Sequence, residues 1–152
     1  MARYSYRVEI DCEPEALFSV LLDPASNARW QAGVVHTRAS TPGLAGVGTR
    51  MTEVREVAGC RTEIGYELVA VEWPSKTVVR MVAGPLAGTA SYTCRRTHGG
   101  TEFTLTCDVA PRGRWRLMAP AMAAVMAAEV ALSCERLKAL LEAPVSLQAA
   151  TA

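Results

Sequence analysis

Histidine is nearly missing from this chain: His36 and His98 are the only two among 152 residues. With no second histidine near either and no clustered carboxylates, a metal centre is not expected. The five cysteines (Cys12, Cys60, Cys94, Cys107, Cys134) are odd in number, widely spaced, and form no C-x-x-C pair. That pattern supports neither a disulfide framework nor a zinc site and fits a reducing compartment. No G-x-S-x-G occurs, and the serines lack an evident His/Asp pairing. The glycine-rich stretch Gly43–Gly48 (GLAGVG) does not match a phosphate loop and falls between strands rather than before a helix. A dense basic run is also lacking, and 16 basic residues against 15 acidic leave a net charge of +1. Nucleic acid is therefore not the expected partner. The opening MARYSYRVEI has no long apolar run of the signal-peptide kind, so the expected location is cytoplasmic.

What is present is apolar. Half of the residues are hydrophobic and 20% are charged. A single domain of this length buries roughly 68–70% of its unfolded surface. Residues 1–143 are expected to form that domain, with 144–152 as a flexible C-terminal tail. The most informative stretch is Arg114–Glu142, which reads as one long helix. Met118, Met122 and Met126, at i, i+4 and i+8, share a face with Glu129 and Ser133 amid alanines. A helix that only fills a core would be denser in Leu and Ile, which have few rotamers and pack tightly. Methionine and alanine suit an adaptable or incompletely filled interior. A carboxylate on that face needs a partner, water or a ligand. The helix thus reads as the floor of a pocket. Leu117–Cys134 is nearly charge-free, yet it is alanine-rich and contains Pro120 and Glu129. A spanning helix needs about 20 strongly apolar residues, and a central carboxylate costs ~2.5 kcal/mol or more there. Stable membrane insertion is not expected.

Along the chain, Tyr4, Tyr6, Val8 and Ile10 alternate with polar residues as a half-buried strand. Pro14 is placed to open a helix, Ala16, Leu17, Val20 and Leu21 follow at helical spacing, and Asp23-Pro24 stops it. A second short helix covers Ala25–Trp30. Strands are then expected at Val34–Ala39, Val47–Val57, Cys60–Val71, Thr77–Ala83, Thr89–Arg96 and Thr101–Ala110. Ala58-Gly59 and Gly99-Gly100 are the expected hairpin turns. The last strand alternates cleanly, with Phe103, Leu105, Cys107 and Val109 on one face. The fold class is α+β: a curved antiparallel sheet of about seven strands around a long C-terminal helix, with two short helices after the first strand.

The segments EPEALFSVLLDPASNARW, VGTRMTE, VEWPSKTVV, GGTEFTL and the closing ERLKALLE occur in that order over nearly the whole chain. Together they resemble the START-like, or SRPBCC, superfamily: the helix-grip fold of the polyketide cyclase/dehydrase and lipid-transport proteins. The resemblance implies a hydrophobic-ligand cavity between sheet and helix, and chemistry only second. It also places Trp30 near the pocket mouth. Aromatase/cyclase relatives arrange arginine, tyrosine and tryptophan around a folded polyketide. Here CRTEIGYELVA offers Tyr66 inward while Arg61 alternates to the opposite face, which departs from that set.

Several residues are candidates for chemistry or contact. Helical phase turns Glu129 inward beside Met122, Ser133 and Leu140. It is either a ligand anchor and general acid/base, or a carboxylate paired with Arg136 or a sheet arginine such as Arg80. Tyr66 and Tyr92 sit on the apolar phases of their strands, suited to hold a carbonyl or phenol or to reach the rim. Trp30 either contacts ligand or pins the helix pair to the sheet. Trp115 with Arg112, Arg114 and Arg116 is a basic–aromatic cluster, either a greeting surface for an acidic ligand or a solvated helix start. His98 is expected in solvent, and His36 is the one imidazole placed for proton transfer. Gly43–Gly48 reads as a mobile flap over the cavity. The weak catalytic candidates are Glu129, Tyr66 and His36. The expected lining is Trp30, Tyr66, Met81, Tyr92, Phe103, Leu105, Met118, Met122, Met126 and Glu129.

The first reading is a cofactor-free, cytoplasmic binding protein for a small hydrophobic or amphipathic molecule (a lipid, polyketide or aromatic metabolite). The second is a polyketide cyclase- or dehydratase-type enzyme using the same cavity. A third is a partner protein that works through its surface. Exposed sheet edges and Val69/Val71 form either a homodimer surface or a face covered by loops.

Overall fold

The computed structural model describes residues 1–57 and 59–144. Ala58 of the expected turn and residues 145–152 of the expected tail lie outside the described residues. Strand β1 (Ala2–Ile10) leads into helix α1 (Pro14–Leu22), a 3-10 turn (Pro24–Ser26) and the single-turn helix α2 (Asn27–Trp30). Six strands follow: β2 (Val34–Ala39), β3 (Arg50–Val57), β4 (Cys60–Glu72), β5 (Lys76–Ala83), β6 (Leu86–Thr97) and β7 (Gly100–Pro111). A 3-10 segment (Gly113–Met118) then precedes the long helix α3 (Ala119–Glu142). The strands form one curved antiparallel sheet in the order β1-β7-β6-β5-β4-β3-β2. This is the helix-grip architecture that the sequence pattern anticipates.

Local chemistry sets these boundaries. Pro14 opens α1, and extended Asp23 ends it before Pro24, whose ring disfavours a helical predecessor. The Asp23 carboxylate then accepts from the Ala25 N–H at 3.1 Å and caps the 3-10 turn. In β7, Phe103, Leu105, Cys107 and Val109 are buried while the alternate residues face outward. Register shifts within β4, at Gly65/Tyr66 and at Leu68/Ala70, bend the sheet where it must wrap the helix.

Three expectations need correction. The final helix is not α-helical from Arg114. Pro120 has no N–H to offer the Arg116 carbonyl, so the Ala119 N–H bonds Arg116 O and the preceding turn closes as 3-10. Strand β6 begins at Leu86 rather than Thr89, because Leu86 and Ala87 pair with Pro111 and Ala110 of β7. The β6–β7 turn is His98-Gly99. Gly100 already pairs with Thr97, and a Cβ there would collide with the Ile10 carbonyl of neighbouring β1.

Helix α3 packs against β1, β7 and α2. Its C-terminal half buries Val130, Ser133, Cys134 and Leu137. Its first two turns bury nothing fully, and Met122, Val125 and Met126 are only partly covered. The segment Gly113–Glu142 is also long and apolar enough, by composition, to cross a membrane: an 18-residue stretch within it has a mean hydropathy of 1.7. Its C-terminal half packs on the sheet and its first turns lie over a cavity, while Leu117, Met118 and Leu132 are exposed.

Candidate functional site

Between the first turns of α3 and the concave sheet lies a cavity of about 340 Å³, within the range of small-molecule sites. Ile64, Met81, Leu86, Ala90 and Leu105 line it from the sheet, and Met118, Met122, Val125 and Met126 from the helix. The tip of the β3–β4 hairpin (Val57, Cys60), Pro85 and Trp115 frame it. Its polar end is lined by Gln31, Arg55, Tyr66, Tyr92, Glu129 and Ser133.

Arg55 organises that end. Its Nε donates to Glu53 Oε2 at 3.1 Å, and one terminal nitrogen donates to Gln31 Oε1 at 2.7 Å while pairing with Glu53 at 3.0 Å. The other terminal nitrogen donates to the Ala32 carbonyl at 3.4 Å and lies 3.5 Å from Glu129 Oε2. Side-chain exposure is 15% for Arg55, 3% for Glu53 and 18% for Glu129, so this is an interior ion triad. Asn27 Nδ2 donates to Glu53 at 3.0 Å. The Ala32 N–H donates to Ser133 Oγ at 2.9 Å, which joins the α2 exit to α3.

Burial pushes the Tyr66 and Tyr92 phenols above the usual range, only partly opposed by Arg55. Both rings therefore stay protonated and act as donors, not bases. Burial works against the Arg55 charge, but Tyr66, Glu53 and Glu129 outweigh it and hold its pKa above normal. Burial also raises Glu129, again opposed by Arg55. The thiol of Cys107, deep in the lining, is pushed up to about 11, mainly by burial. The set can accept and donate hydrogen bonds to a ligand, and Glu129 is its one cavity carboxylate.

Of the residues singled out from sequence, Tyr66, Met81, Tyr92, Leu105, Met118, Met122, Met126 and Glu129 come together on the cavity wall. Met118 stands at the edge, about half exposed. Trp30 and Phe103 are fully buried and not part of the lining. Trp30 meets Tyr92 and Phe103 edge-on, with ring centroids 6.0 and 6.4 Å apart, and so supports the cavity wall from behind. His36 and His98 are both exposed, His36 on the outermost strand β2. Glu129 pairs with a sheet arginine, as one of the sequence alternatives has it, but the arginine is Arg55 on β3, and Arg80 faces outward to Glu67. Gly43–Gly48 does not cover the cavity. Ala45 N–H donates to Leu22 O at 2.7 Å and Gly48 N–H to Leu68 O at 2.8 Å, which ties the loop to α1 and β4. In the basic–aromatic cluster, Trp115 lines the cavity, Arg114 lies over its ring, and Arg112 donates to the Met81 and Val82 carbonyls.

Sequence reasoning missed Glu53, Arg55 and Gln31. A signal existed for the first two. Met51, Glu53, Arg55 and Val57 share one phase of β3, so an acid and a base two residues apart stand on the Met51 face. Val54 on the other phase obscured which face is inward.

A family model described as polyketide cyclase / dehydrase and lipid transport matches residues 1–142. Among solved structures, TTHA0849 from Thermus thermophilus superposes with a TM-score of 0.79 at 15% identity, covering 99% of this chain and 100% of that one. Protein CV1439 from Chromobacterium violaceum gives 0.67 at 17% identity, covering 95% and 100%. Ginseng major latex-like protein 151 from Panax ginseng gives 0.62 at 10% identity, covering 84% and 95%. These likenesses concern the fold. No curated protein matches this chain.

Proposed function

The chain belongs to the polyketide cyclase / dehydrase and lipid transport family, of the START-like (SRPBCC) type, and on that premise we propose that residues 1–143 act as one cytoplasmic binding unit for a small hydrophobic or amphipathic molecule. The observation that carries this reading is the cavity of about 340 Å³, apolar along its length and polar at its inner end. Burial of the ligand's apolar surface supplies the driving force, roughly 25 cal/mol per Å², and the polar end fixes orientation. Tyr66, Tyr92, Met81, Leu105, Met118 and the α3 residues Met122 and Met126 are the proposed contacts, with Glu129 as anchor. Trp30 and Phe103 act by holding Tyr92 in place. A lipid, a polyketide and an aromatic metabolite all suit such a lining.

Native mass spectrometry of purified protein, followed by denaturing extraction, tests the reading. A co-purifying apolar molecule, or binding of a lipid and aromatic panel, is the expected result. An empty protein that takes up none of the panel refutes it and favours a surface-acting role.

A second reading is an enzyme of the cyclase or dehydratase type in the same cavity. It is favoured by a partly buried Glu129 whose proton affinity is raised. Glu129→Gln separates the two: lost turnover with retained affinity supports catalysis, and changed affinity without any turnover supports carriage.

A further inference from the structure

The polar end of the cavity is unevenly charged. Arg55 offers five N–H donors: three donate to Glu53, Gln31 and the Ala32 carbonyl, and its two terminal nitrogens also lie within ion-pair distance of Glu53 and Glu129. Every nitrogen of the guanidinium already faces a protein acceptor, with which an incoming carboxylate would have to compete. The triad carries two carboxylates against one cation, so an anionic head group would enter a site already negative. Glu129 is the less occupied acceptor of the two: its contact to Arg55 is 3.5 Å, whereas Glu53 is held at 3.0–3.1 Å by Arg55 and Asn27. Ser133 lies one helical turn from Glu129 on the same face of α3, and both line the cavity. Its oxygen accepts from the Ala32 N–H, which leaves the hydroxyl hydrogen to donate. One acceptor and one donor side by side match a group that both donates and accepts.

Resting on the ligand-binding reading above, we infer that the cavity takes apolar molecules ending in a neutral hydroxyl, an alcohol or phenol, and discriminates against the corresponding carboxylates. The hydroxyl donates to Glu129 and accepts from Ser133, while the apolar body lies along the methionines of α3. Free fatty acids and aromatic acids of equal size are poor ligands for this chain.

The test is displacement of the uncharged fluorophore N-phenyl-1-naphthylamine near neutral pH by two matched pairs: 1-decanol against decanoate, and 2-naphthol against 2-naphthoate. In at least one pair the hydroxyl member should compete at least tenfold better than its carboxylate. Glu129→Gln, which removes one negative charge, should shrink that ratio to threefold or less with the thermal midpoint retained. A purely structural effect of the substitution would weaken both members of a pair together. If the fluorophore binds and the carboxylates compete as well as or better than the hydroxyl compounds, the inference is overturned while the cavity reading stands. If neither the fluorophore nor, by calorimetry, 2-naphthol binds the wild type, the cavity reading falls and takes the inference with it.

Discussion

Replacing Arg55 by methionine removes a cation and keeps most of the side-chain volume. Glu53 would then be 3% exposed with Asn27 as its hydrogen-bond donor, and Glu129 would lose the cation it pairs with. Removing one member of a buried ion pair costs about 3–5 kcal/mol, because the remaining charge is left in a medium that solvates it poorly. For a chain of this size each kcal/mol moves the thermal midpoint by about 2–4 °C, so a fall of roughly 6–20 °C is expected. Urea unfolding near neutral pH measures the same loss at constant temperature. The sign with pH is also fixed. Buried carboxylates without a cation have folded-state pKa values raised above their unfolded ones, so their protonated forms are favoured in the folded state. The variant's deficit should therefore narrow as pH falls from about 7.5 to about 5. Adding Glu53→Gln and Glu129→Gln should restore about half of the loss or more, since neutral replacement of a whole buried triad is often close to neutral in stability. A single-variant cost below about 1 kcal/mol, or a cost independent of pH, would refute the claim that Arg55 is the cation holding an interior triad.

Glu129→Gln should flatten part of the stability–pH profile: burial raises the Glu129 pKa, so its favourable contribution is full below the ordinary carboxylate range and lost as pH rises through the raised value. Denaturant midpoints measured across that window check it. Cys60 is the exposed cysteine and borders the cavity, whereas burial lifts Cys107 and Cys134 to about 11 and about 12. Peptide mapping after brief maleimide treatment should find Cys60 modified at least ~100-fold faster than these two, and the adduct should hinder ligand uptake. Gly88→Ala should cost roughly 2–4 kcal/mol in urea unfolding, from strained backbone and collision together. Gly88 has φ +132°, and a Cβ there would strike the Asp108 carbonyl. A loss below about 1 kcal/mol would mean that β6 can shift away from β7 at this point.

The order of strands and helices, the phase of the cleanly alternating strands such as β7 and the inward face of the long helix could be read from the sequence, whereas the phase of β3 could not. These depend on residues a few positions apart: Phe103 through Val109 by alternation, Met118 through Ser133 by helical spacing, and Asp23-Pro24 by backbone sterics. Glu129 was identifiable as an interior carboxylate for the same reason. Its cation was not, because Arg55 lies on a different element and reaches it only after β3 and α3 are packed. The same holds for Trp30, whose inward turn onto Tyr92 and Phe103 depends on how α2 sits on the sheet. The loop at Gly43–Gly48 has the composition of a flap, yet backbone hydrogen bonds to Leu22 and Leu68 hold it elsewhere. Local propensity and periodicity thus determined which face is apolar wherever the alternation is clean, as in β7 and α3. Tertiary packing alone decided that α3 seals at its C-terminal half and stands off at its N-terminal half, and that Asn27, Gln31, Glu53, Arg55, Glu129 and Ser133 meet there. The physical reason is separation along the chain. Partners such as Ala32 and Ser133, 101 residues apart, are brought together by side-chain volume and sheet curvature, and no local spacing encodes either.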